Sequence, residues 1–280
     1  MCFYPRQHID DADTSHSAHF STDALKFLAA GKSSVVYGID DKRVAKVYNS
    51  TDDNEDIIEL RAYERLGGHR NIVKCFGSND GAIVLERGQV LRGICRQPQY
   101  ADQISFRRKL RWLTDFAQGL RYIHEKSIVH ADVGCHNAVL TKRGRLKIID
   151  FEGCSVDGGE ASSFYEWFSY RPSTPKISNQ TDIFAYGCAV FEVLTGRVPY
   201  DEFETSAHRT QLVERLYLEN QFPDVTHLPL IKLMRGCWNG TINSMEEVVR
   251  ELEAARPSLL KEAVKGFHRI LCSPAFSRAV

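Results

Sequence analysis

The sequence predicts an α+β protein in which a small antiparallel β-sheet with one helix is followed by a larger, mainly helical part. Three observations predict it. The runs LKFLAA, SVVYGI and RVAKVY near the start are short and β-rich, and the Asp40–Lys42 turn joins the last two as a hairpin. Beyond about residue 100 the apolar period lengthens to that of helices. A chain of 280 residues, 43% hydrophobic and 10% aromatic, has enough core for one large domain or two modest lobes.

The elements follow in order. Met1 to Thr22 is polar and aperiodic and reads as a loose arm; its His8, His16 and His19 are read as a solvated tail rather than a metal site. After the three strand-like runs, Asp52 to Leu66 opens with acids suited to a helix N-terminus and spaces Ile58, Ala62 and Leu66 four apart, as an amphipathic helix requires. IVKCFG and AIVLE then read as two strands around an Asn79-Asp80-Gly81 turn, and Arg87 to Pro98 as a connector. Phe106, Leu110, Leu113, Ala117, Leu120 and Ile123 form one helical stripe, with Arg107, Arg108, Lys109 and Arg111 mostly on a solvated face. RLKIID is a strand. Asp182 to Thr195 is apolar almost all round, which predicts a buried helix stopped by Gly196. Helical windows at Leu228–Cys237 and Ser244–Ala255 close the pattern.

Thirty-six basic and thirty-six acidic residues cancel, so no net charge drives binding to nucleic acid or an anionic membrane. Eight cysteines stand singly without a CxxC pair, which points to a reducing, cytoplasmic-type compartment. No stretch reaches eighteen uncharged apolar residues, and no basic-then-apolar leader opens the chain.

The chemistry concentrates in IVHADVGCHNAVL and in LKIID. Asp132 and Asn137 sit on a loop before one strand, and Asp150 directly follows the next; together they offer oxygen ligands to a divalent cation. Lys46, inside the early strand VAKVY, is costly to bury unless it meets an anion such as phosphate.

The order VAK, helix glutamate, HxDxxxxN, DF and DxxxxG resembles the eukaryotic protein kinase family over about residues 25–256, in a divergent form similar to small fungal kinases. The resemblance implies a bilobal fold with an arm at 1–22, an N-lobe at 23–86, a hinge and C-lobe at 87–256 and a tail at 257–280. It implies ATP and magnesium as cofactors, with the nucleotide among Ala29, Gly31, Ser34, Val36, Lys46, Glu59 and Glu86. Glu59 is the preferred partner of Lys46, with Glu55 and Glu64 as alternatives. Asp132 would take the substrate hydroxyl proton and Asn137 and Asp150 would hold magnesium, while His130, Phe151 and Asp182 would support the loop. A protein substrate, presented to a monomer, is the implied partner.

Several positions depart from the family pattern. In AAGKSSVV only Gly31 survives of the glycine loop; Ala29 and Ser34 stand where glycines are usual, each costing about 1–2 kcal/mol if held in a glycine-only conformation. Ala131 replaces the arginine that usually receives an activation-loop phosphate, so activity should survive phosphatase treatment. Glu152 interrupts DFG, Ser173 follows Pro172 where a glutamate is usual, and Ile242 or Asn243 stands near the place of its arginine partner. Gly134, two past Asp132, leaves the hydroxyl type weakly marked; serine/threonine is the expectation. The competing readings are a pseudokinase scaffold and a small-molecule phosphotransferase of the aminoglycoside or choline kinase type, which HADVGCHN and IIDFEG also resemble.

Overall fold

The computed structural model describes residues 22, 25–31, 33–49, 58–79 and 81–256. The N-terminal arm with its histidines, Lys32, Glu55 and the rest of the acidic opening of the first helix, Asp80 and the C-terminal tail lie outside the described residues.

β1 (Lys26–Ala30), β2 (Ser34–Gly38) and β3 (Arg43–Tyr48) form a meander completed by β4 (Cys75–Asn79) and β5 (Ala82–Glu86), in the order β1-β2-β3-β5-β4 with every pair antiparallel. The β2–β3 turn is closed by the Asp40 carboxylate, which accepts from the backbone N–H groups of Lys42 and Arg43 at 2.7 Å. α1 (Ile58–Leu66) lays Ala62, Tyr63 and Leu66 into the core. The strand expected from Ile72 begins only at Cys75, because Ile72 and Val73 pair instead with Ile148: Val73 N–H donates to Ile148 O at 3.1 Å, and Ile148 N–H to Asn71 O at 2.8 Å. That exchange stitches the sheet to the helical lobe.

The expected connector at 87–98 is partly ordered, as β6 (Gln89–Val90) and α2 (Leu91–Cys95). α3 (Tyr100–Gln103) leads into α4 (Phe106–Glu125), which packs on the short strands β7 (Ile128–Val129) and β9 (Leu146–Ile148), with β8 (Ala138–Leu140) between β6 and β9. β6, β8 and β9 make one small sheet, and β7 pairs with β10 (Ser155–Val156). Lys109 is not on the solvated face: it is buried, donating to Leu194 O at 3.1 Å with its ammonium 4.2 Å from the Tyr100 ring centre.

α5 (Asn179–Thr195) is buried on all sides, as its composition predicts. Ser178 and Thr181 cap it reciprocally, and Gly196 ends it at φ 78°. α6 (Arg209–Leu218), which the sequence reading missed, and α7 (Ile231–Asn239) pack around it, and residues 245–256 are also helical. Gly187 allows α5 and α7 to touch: a Cβ there would lie 2.8 Å from Cys237 Cβ.

Candidate active site

A cavity of about 510 Å³ lies between the five-stranded sheet and the helical lobe. Val36, Val44, Leu85, Val139 and Ile149 make apolar walls, while Lys46, Asn137 and Asp150 give it one polar end. Apolar walls with a few convergent polar groups are the usual form of a small-molecule pocket. The seven residues expected around a nucleotide (Ala29, Gly31, Ser34, Val36, Lys46, Glu59 and Glu86) all line it.

Lys46 sits mid-strand in β3, opposite Val36 and Ile83, so its side chain enters the cavity beneath the sheet. Its ammonium donates to Glu59 Oε2 and Asp150 Oδ1, both at 2.6 Å, and lies 3.0 Å from Glu152 Oε2. Burial by itself would lower the Lys46 pKa; the Glu59 and Asp150 carboxylates outweigh it and hold the ammonium above its ordinary value. Glu59 is fully buried, and its remaining capacity is filled by the Tyr48 hydroxyl at 2.5 Å and the Phe151 N–H at 3.3 Å. Of the three candidate glutamates, Glu55 lies outside the described residues and Glu64 is exposed.

The loop before β8 is fixed from below by Asp182 at the start of α5. Its carboxylate accepts from His130 N–H at 2.9 Å, Ala131 N–H at 3.1 Å and the Tyr165 hydroxyl at 2.7 Å, with His124 Nε2 2.9 Å away. Burial would raise its pKa, and these donors, His124 foremost, hold it low instead. So pinned, Ala131 takes φ 65°, a left-handed conformation held against about 1–2 kcal/mol of strain. Asn137 Nδ2 donates to both the carbonyl and Oδ2 of Asp132 at 3.0 Å, which fixes the Asp132 rotamer. The Asn137 amide oxygen has no protein partner among the described residues. Phe151 is wedged between Tyr63 of α1 and His130, with ring centres at 5.1 and 5.2 Å, so it links α1 to the loop.

A second charged cluster was not anticipated. Arg92 of α2 donates to both oxygens of Glu166 at 2.6 and 2.7 Å and to both oxygens of buried Glu192 at 2.8 and 3.0 Å. Glu166 lies 3.0 Å from His136 Nδ1, and His136 Nε2 is 3.1 Å from Asp132 Oδ2. Burial would lower the His136 pKa, but Asp132 and Glu166 raise it to about 9. Burial likewise would raise Glu166, and His136 with Arg92 lowers it to about 2. Gly134 makes this arrangement fit, since a Cβ there would sit 2.5 Å from His136 Nδ1. No sequence signal pointed to it, because its partners are far apart along the chain.

One sequence expectation changes. Ala29 and Ser34 lie on the β1 and β2 ladder, and neither has positive φ, so the glycine-only strain charged to them does not arise. The strain falls instead on Asp150, at φ 69°. The Ser33 hydroxyl donates to Glu152 Oε1, tying the tip of the β1–β2 loop to the residue after Phe151. Glu86 lines the cavity, but its carboxylate accepts from Lys147 Nζ at 2.8 Å and Lys74 N–H at 3.2 Å. Arg171 joins the segment before α5 to α7, donating to Trp238 O at 3.2 Å.

Residues 40–252 match the sequence model of the protein tyrosine and serine/threonine kinase family. Mitogen-activated protein kinase kinase kinase 7 of Homo sapiens is 28% identical over 231 residues, 75% of this chain and 37% of that protein. The tyrosine-protein kinase receptor torso of Bombyx mori is 26% identical, covering 78% of this chain and 25% of the receptor. Serine/threonine-protein kinase STY17 of Arabidopsis thaliana is 25% identical over 61% of this chain and 31% of its own length. The chain thus spans well under half the length of these relatives.

Proposed function

Because the chain belongs to the protein tyrosine and serine/threonine kinase family, we propose that it transfers the γ-phosphoryl group of ATP to a serine or threonine hydroxyl of a protein substrate. The observation that carries this reading is the convergence of a buried Lys46–Glu59 pair, Asp150 and Asn137 on one cavity, with Asn137 also fixing Asp132. The residues fit the group they would hold. The apolar walls suit a flat base, and Lys46 suits the α and β phosphates. Asp150 and the free amide oxygen of Asn137 are the hard oxygen donors that magnesium prefers.

Bound ATP with magnesium supplies the phosphoryl group and neutralises its charge. Asp132 accepts the proton of the substrate hydroxyl as that oxygen bonds to the γ-phosphorus and the bond to the departing ADP oxygen breaks. Asn137 keeps the Asp132 carboxylate in place, so little orientational freedom remains to be lost at the transition state. Asp182, through the backbone of His130 and Ala131, keeps the loop itself in place. The serine/threonine assignment rests on the SYRPS segment, which lacks the features of a tyrosine-accepting pocket. Membership of the protein kinase family favours a protein acceptor over a small molecule.

The test is transfer from radiolabelled ATP with magnesium, to the chain itself and to a generic basic protein, beside Asp132→Asn. Loss of a general base costs about 10² to 10⁴ in rate. Incorporation that survives the substitution would sink the assignment of Asp132. A second reading, a nucleotide-binding scaffold without transfer, is favoured by Glu152, whose carboxylate meets both Lys46 and Ser33. ATP that raises the melting temperature while wild type and variant both fail to transfer would select it.

A further inference from the structure

Sharing Glu86 and Arg87 with the nucleotide cavity is a second concavity of about 540 Å³, lined among the described residues by eight lysine and arginine side chains and two acids, Asp41 and Glu86. Ion pairs to carboxylates account for three of the eight: Lys142 with Asp41, Arg145 with Asp115 at 3.5 Å, and Lys147 with Glu86 at 2.8 Å. Lys42, Arg70, Lys74, Arg87 and Arg143 have no carboxylate partner among the described residues, although the whole chain carries no net charge. Arg70 also lines a neighbouring concavity of about 580 Å³ with Arg107, Arg111 and Arg256, so the basic surface continues onto α4. Phe76 is 47% exposed at its wall, with the Lys74 ammonium 5.0 Å from its ring centre.

We propose that this concavity docks an acidic segment of a partner protein, with carboxylates spaced around one apolar side chain. Five cations without a carboxylate partner, of which Arg87 is held by the Asp40 carbonyl at 2.7 Å, repel one another and raise the local potential, which neutralisation by an anionic ligand relieves. The exposed Phe76 offers an apolar contact that a bare anion cannot use. Asp41 and Glu86 within the wall would oppose an unbroken phosphate backbone, whereas spaced carboxylates on a peptide can avoid them. The surface is separate from the Asp132 loop, so the docking does not depend on transfer chemistry. Because Glu86 and Arg87 line both cavities, a segment bound here would also press on the edge of the nucleotide cavity.

The test is fluorescence anisotropy with a labelled peptide of sequence EEDLEEDE against the full chain, in low and in physiological salt. Binding should weaken at least tenfold in Arg70→Glu/Arg143→Glu and severalfold in Phe76→Ser, fall with salt, and be unchanged in Asp132→Asn. Lys74→Gln/Arg143→Gln, a milder neutralisation, should weaken it severalfold and serves if the charge reversal does not fold. Unchanged affinity in these variants would overturn the proposal. So would tighter binding of inorganic tripolyphosphate or of a single-stranded oligonucleotide than of the peptide, since either would mark a site for phosphate rather than for an acidic segment.

Discussion

Replacing Arg92 by leucine removes the cation shared by two carboxylates, and the structure sets the size of the effect. Arg92 makes four hydrogen bonds, two of them to Glu192, whose side chain is 1% exposed on the buried helix α5. Glu166 is 26% exposed and can recover hydration, while Glu192 cannot. Breaking a buried pair by removing one partner costs about 3–5 kcal/mol, most of it the penalty of the charge left behind. We expect Arg92→Leu to lose about 3 kcal/mol, a drop of about 1 M in the urea midpoint at a slope of about 3 kcal/mol per M. Arg92→Leu/Glu192→Leu should recover at least half of that loss, because two apolar groups then replace the pair. Urea unfolding followed by tryptophan fluorescence measures all three proteins, with Trp112 and Trp238 both buried reporters. An Arg92→Leu midpoint close to wild type, or a double variant as weak as the single, would refute the reasoning.

Other substitutions probe the same architecture. Gly187→Ala places a Cβ 2.8 Å from Cys237 Cβ and should cost about 1–3 kcal/mol by thermal melting, whereas an unchanged melting temperature would mean that α5 and α7 are not in contact there. Glu152→Gly removes a carboxylate from beside Lys46 and releases Ser33; nucleotide affinity by calorimetry should rise severalfold, since a part-exposed ion pair is worth up to about 1 kcal/mol, and a fall in affinity would contradict this. His136 has its folded pKa raised to about 9, so its contribution to stability is complete below about pH 6.5 and lost as pH rises through 9. With its side chain a quarter exposed, that contribution is about 1–2 kcal/mol. The stability gap between wild type and His136→Gln should therefore shrink between pH 6.5 and 9, and a gap constant across that window would remove the ion pairs from the account.

Which features could be read from the chain depended on whether their cause was local. The strands up to Tyr48, the stripe of α4 and the all-round apolarity of α5 follow from period and composition, and all three form where expected. IVKCFG looked like one strand from Ile72, but pairing of Ile72 and Val73 with Ile148, a partner far along the chain, moved the start to Cys75. Lys109 looked solvated by its neighbours and is buried because Leu194 and Tyr100 meet it there. α6 has too weak an apolar face to announce itself, and is held by Val213 and Tyr217 packing into the core.

At the site the division is the same. The sequence by itself determined the order of Lys46, Asp132, Asn137, Asp150 and Asp182, which resembles that of the kinase family because those residues stand at its motif positions. It also marked Gly31 as the lone survivor of the glycine loop. Only the tertiary structure decided that Ala29 and Ser34 carry no strain while Asp150 does, that Glu152 turns inward to Lys46, and that Arg92, Glu166 and Glu192 join His136 behind Asp132. The physical reason is that charge pairing acts through space over a few ångströms, whereas the partners are separated by as many as 119 residues along the chain.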